Sequence, residues 1–65
     1  MRGDQLSRQW RIIRSLEVKP HGVTLRRLAG EENRSIRTIY RDIEVLSVAG
    51  FPIYSENVNG TIRYR

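Results

Sequence analysis

Sixty-five residues carry 12 Lys and Arg against 7 Asp and Glu, a formal net charge of +5. A chain this short forms one small domain that buries only about 60% of its unfolded surface, so a compact and marginal core is expected. The absence of cysteine excludes disulfide staples and thiolate metal sites and suits a reducing compartment. The surplus of positive charge favours a polyanionic partner, either nucleic acid or an anionic membrane surface. No run has the length of a membrane span, and MRGDQLSRQW lacks the apolar core of a signal peptide, so a cytoplasmic location is expected.

From Asp4 to about Glu17, Leu6, Trp10, Ile13 and Leu16 recur at helical spacing and Ile12 widens the stripe, which predicts a first amphipathic helix with these residues in the core. Arg8, Arg11 and Arg14 fall on other faces, as a solvated basic surface or as phosphate contacts. Pro20, His21 and Gly22 interrupt the period, so residues 18–23 read as a connector. His21 is the single histidine, with no second ligand at metal-binding spacing; it reads as a loop residue, and neither metal nor cofactor is expected.

Thr24 is an N-cap candidate before Leu25, Leu28 and Ala29, which share one face of a short second helix of about two turns. Residues 30–34 form the next turn, with Gly30 loosening the helix end and Asn33 able to take the left-handed conformation. Ser35 then caps a third helix whose apolar stripe is Ile36, Ile39, Ile43 and Leu46. Gly50 closes it, and Pro52 keeps Phe51 extended. On the opposite face lie Arg37, Thr38 and Arg41, where a purely structural helix tolerates almost any polar residue. Asp42 points away from Arg41 and is expected to pair with an Arg of another helix.

Beyond Gly50 the period becomes two. Residues 53–55 and 61–64 read as short strands around turn residues 57–60, with Asn59-Gly60 a common hairpin-turn dipeptide. Tyr54 and Tyr64 are expected to pack within this hairpin. The fold class is thus mainly α with a small β-hairpin: a three-helix winged helix-turn-helix across residues 1–65. Such a fold usually sets its second motif helix in the major groove and the hairpin wing against the backbone or minor groove.

The run RTIYRDI (residues 37–43), Leu46 and AGFPI (residues 49–53) closely resemble the N-terminal domain of WYL-type bacterial transcription regulators, relatives of the DeoR-type repressors. Leu25, Leu28 and Ala29, with Ile12, Ile13 and Leu16, extend the resemblance over nearly the whole chain. Two departures occur. Members often carry an apolar residue, a Gly and another apolar residue before the capping Ser, where this chain has Glu32, Asn33 and Arg34, so looser docking of the third helix is expected. A basic residue is common where Ile36 stands, and periodicity assigns Ile36 to the core.

The resemblance implies sequence-specific binding of double-stranded DNA at a promoter. It also implies that this chain is the N-terminal part of a longer regulator, a homodimer when full length. Any small-molecule effector would act through a C-terminal WYL domain absent from this sequence. Arg37 and Arg41, four apart, can both enter one groove, reading guanine through two parallel hydrogen bonds or gripping phosphate. Thr38 suits a thymine methyl or a phosphate, and Ser35 combines capping with a phosphate bond. The resemblance gives Tyr40 a double role, ring packed and hydroxyl on phosphate. In the wing, Asn59, Arg63 and Arg65 are candidates for the sugar-phosphate backbone.

Rival functions fare less well. An enzyme lacks its inventory: no Cys, one isolated His, no Gly-rich phosphate loop and no carboxylate constellation. A membrane-surface role needs the basic residues gathered on one amphipathic helix, and they are scattered instead. A-form RNA offers a major groove too narrow for a helix. The serious alternative is a winged-helix protein-interaction or dimerisation module without DNA readout, for which Val45 and Val48 are candidate docking residues.

Overall fold

Each of the two later helices begins on a hydroxyl and ends on a residue in the left-handed conformation. Thr24 Oγ1 accepts the Arg27 N–H and Ser35 Oγ accepts the Thr38 N–H, both at 3.1 Å, pairing amides that have no partner inside the helix. At the other ends Asn33 (φ 54°) and Gly50 (φ 106°) reverse the chain. The Arg34 N–H then reaches back to the Ala29 carbonyl and the Phe51 N–H to that of Leu46, the six-to-one bond of a Schellman closure.

The computed structural model describes residues 2–19 and 21–65; Met1 and Pro20 lie outside the described residues, Pro20 with its share of the expected interruption. The elements are α1 (Arg2–Val18), α2 (Leu25–Glu32), α3 (Ile36–Val48), β1 (Ser55–Val58) and β2 (Thr61–Tyr64). Three helices and an antiparallel hairpin make the mainly helical winged helix that the sequence predicts. Helix α2 runs through Gly30 to Glu32, so the turn into α3 is shorter than residues 30–34. The residues before the cap are structurally employed: Glu32 pairs with Arg11 of α1 at 2.7 Å and Asn33 supplies the reversal.

The core is Ile12 and Leu16 of α1, Val23 of the segment before α2, Leu28 and Ala29 of α2, and Ile39, Ile43 and Leu46 of α3, with Ile13, Leu25, Ile53 and Tyr64 packed against it. Three expected core residues are elsewhere. Leu6 is 69% and Trp10 59% exposed. Trp10 stands about 160° around the helix from Ile12, and the buried side of α1 turns instead through Gln9, which contacts α3. Ile36 is 46% exposed. As the first residue of α3 it has no preceding helical turn to shelter it, and burial of the stripe starts at Ile39.

The hairpin also starts later than expected. Asn57 and Val58 belong to β1, and only Asn59 (φ 53°) and Gly60 (φ 84°) form the turn, both with the positive φ of a type I′ connection. Asn57 Oδ1 accepts the Gly60 N–H at 2.9 Å. Ser55 pairs with Tyr64 and Val58 with Thr61, and Tyr54 and Arg65 add two further backbone bonds. Residue 23, expected in a connector, is a third participant: Val23 and Tyr64 exchange backbone hydrogen bonds of 2.9 and 2.8 Å. The wing is thereby fastened to the segment entering α2.

Candidate nucleic-acid interface

Helix α3 divides its residues by angle. Ile39, Ile43 and Leu46 are buried, while Arg37 and Arg41 lie about 160 to 200° from Ile39 and are exposed. They are one helical turn apart, and among the described residues neither makes an ion pair. Thr38 and Ser35 sit together at the start of the same helix, Ser35 Oγ lying 3.0 Å from Thr38 Oγ1 as well as capping its amide. Five of the sequence-derived candidates, Ser35, Arg37, Thr38, Tyr40 and Arg41, are therefore gathered on the first half of one helix.

Asp42 is the exception on α3, a carboxylate only 3% exposed. Arg8 of α1 donates to it from Nε and, at 3.0 Å, from Nη2, and Gln9 Nε2 donates at 3.1 Å. The expected ion pair with another helix is present. Arg8 belongs to it and is half-buried, so Arg8 is not part of a solvated basic face. The hydrogen bond to Asp42 raises the Arg8 pKa above its ordinary value against the opposing effect of burial. Arg11 is likewise engaged, and its hydrogen bond to Glu32 raises its pKa. Gln9 escaped sequence reasoning; its signal is a polar residue about 60° from Ile12 on the buried side.

An open cleft of about 300 Å³ separates α1 from α3 and is bordered by Gln5, Arg8, Thr38, Arg41, Asp42 and Val45. Tyr40 is half exposed and lies near Tyr64 of β2. Burial raises the Tyr64 pKa, and the Tyr40 hydroxyl and Glu44 carboxylate add to the rise.

The wing residues are separated from one another. Asn59 is at the exposed tip of the turn. Arg63 is half-buried in β2 and its Nη1 donates to the Gly22 carbonyl at 3.3 Å. Arg65 approaches Glu56 across the strands at 3.9 Å. No helix among the described residues is long and apolar enough to cross a membrane.

A family model described as an HTH domain matches residues 8–62, from the middle of α1 to the second wing strand. No curated protein and no solved structure matches the chain. The matched span contains α2, the left-handed turn at Asn33 and α3, which together are the helix-turn-helix, with Arg37 and Arg41 on its outer side. The chain belongs to the HTH domain family and is a helix-turn-helix DNA-binding domain.

Proposed function

We propose that the chain binds double-stranded DNA sequence-specifically, as the DNA-binding domain of a bacterial transcription regulator of the WYL type, related to the DeoR repressors. The observation that carries this reading is the pair Arg37 and Arg41, exposed one turn apart on the second helix of the motif and without an ion pair among the described residues. Helix α3 enters the major groove, where either guanidinium can donate two parallel bonds to guanine O6 and N7, worth about 1–3 kcal/mol of discrimination. Thr38 meets a thymine methyl or a phosphate. Ser35 and Tyr40 reach the flanking phosphates, and Asn59 and Arg63 bring the wing to the backbone or minor groove. The HTH domain family is typically non-enzymatic, and no catalytic role is assigned.

In this reading residues 1–65 are the N-terminal domain of a longer cytoplasmic regulator that binds as a homodimer, its effector acting through a C-terminal domain. Two half-sites about one helical turn apart then match the two-fold symmetry. Selection of bound sequences from random duplex DNA with the full-length protein tests it. An enriched, two-fold symmetric site is expected, and its loss in Arg37→Ala and Arg41→Ala assigns the readout to α3. Recovery of no preferred sequence would overturn specificity. A protein-docking role has one observation in its favour, since Val45 and Val48 lie on the outer half of α3 and Val48 is 90% exposed. It predicts a partner whose binding is insensitive to salt.

A further inference from the structure

Arg41 and Asp42 leave α3 about 100° apart, yet both border the one cleft between α1 and α3, where the long Arg41 side chain and the Asp42 carboxylate share the same space. A carboxylate left open there would have two effects on a DNA-binding surface. It would draw the Arg41 guanidinium onto itself, and it would repel the phosphates that the surface has to approach. Neither condition holds, because both Asp42 oxygens are occupied from α1, Oδ2 by Arg8 Nε and Oδ1 by Arg8 Nη2 and Gln9 Nε2. The fork of Arg8 matches the carboxylate in a way that a single ammonium cannot. Stability alone is a weak reason for this arrangement, since a buried ion pair rarely exceeds a well-packed apolar pair of similar volume.

We propose that Arg8 is a positioning residue for DNA binding: by saturating Asp42 from α1, it keeps the neighbouring Arg41 available to DNA. Arg8 does this without touching DNA itself. The proposal rests on the reading of α3 as the DNA-contacting helix. It gives α1 a part in recognition through a half-buried side chain.

The test uses the full chain and a labelled duplex carrying the sequence recovered by selection, with affinity measured by fluorescence anisotropy over a series of salt concentrations. Arg41→Ala is expected to weaken binding about tenfold and to reduce the slope of log K against log salt by roughly 0.9. Arg8→Met is expected to reproduce both changes, because Asp42 then captures Arg41. Arg41→Ala added to Arg8→Met should cost almost nothing further. Asp42→Asn added to Arg8→Met removes the competing carboxylate and should restore the slope.

Unmodified affinity in Arg8→Met overturns the proposal, as does a full additional loss when Arg41→Ala is combined with it. If Arg8→Met does not fold, Arg8→Lys takes its place, since a single ammonium cannot match both Asp42 oxygens. A loss of affinity in Arg8→Lys that Asp42→Asn restores supports the proposal, and unmodified affinity in Arg8→Lys overturns it. If Arg41→Ala changes neither affinity nor slope, the reading of α3 fails, a result distinct from failure of the Arg8 proposal.

Discussion

Arg63 and Gly22 are held against each other twice: the Arg63 guanidinium donates to the Gly22 carbonyl, and Arg63 Cβ lies 3.0 Å from where a β-carbon on residue 22 would stand. Residue 22 also has φ +80°, a conformation that costs a residue with a β-carbon roughly 1–2 kcal/mol. The wing can approach the α1–α2 connection this closely because the connection has no side chain there.

Gly22→Ala is therefore expected to lose about 2–4 kcal/mol, strain and overpacking together. In a domain this small that is most of the available stability. Urea denaturation measures it, and an unchanged midpoint would contradict the close approach.

The two faces of α3 should respond in opposite ways. Ile39→Ala is expected to destabilise by about 2–5 kcal/mol. Arg37→Ala should stay within roughly 0.5 kcal/mol of the unmodified chain while weakening DNA binding. Paired thermal melts and anisotropy titrations separate the two, and a melting loss at Arg37 as large as at Ile39 would refute the division.

Trp10 offers an optical check. Its exposure predicts ready quenching of tryptophan fluorescence by acrylamide in the folded chain, and Trp10→Ala should cost at most about 1 kcal/mol. A shielded, blue-shifted emission would place the indole in the core instead.

Tyr64 predicts the alkaline limb of stability. Its pKa is raised in the folded state by burial, with Tyr40 and Glu44 nearby, so the native chain retains a proton that the unfolded chain has already lost. The contribution is fully present below the ordinary tyrosine value of about 10 and is lost as pH rises through the native one. Tyr64→Phe should flatten that limb in urea titrations run at successive pH values. An identical alkaline slope in both proteins would remove Tyr64 as its cause.

At the wing tip, Gly60→Ala should destabilise by roughly 1–2 kcal/mol, because residue 60 requires positive φ, without moving α3. Amide chemical shifts that change only in β1 and β2 would agree; shifts spreading into α3 would show a wing more tightly coupled to it.

Periodicity and end signals made most of this fold legible. Ser35, Thr24, Asn33 and Gly50 act locally, through one hydroxyl or one left-handed residue, and so can be read without knowing what lies nearby. The stripe Ile39, Ile43 and Leu46 was legible for the same reason. What escaped depends on other segments. Trp10 and Leu6 continue a helical period, but α1 turns Arg8 and Gln9 toward Asp42, a residue far along the chain, and leaves Trp10 and Leu6 outside. The strand-like role of Val23 needs Tyr64 to reveal it. Of the DNA-contact candidates, those on α3 follow from helix geometry, whereas the engagement of Arg63 by Gly22 required the tertiary fold.

The two bonds between Val23 and Tyr64 also couple the wing to the segment entering α2. The amide hydrogens of residues 23 and 64 lie between the same two backbones, so neither can exchange with solvent until the wing lifts away. The two should therefore exchange through one shared opening.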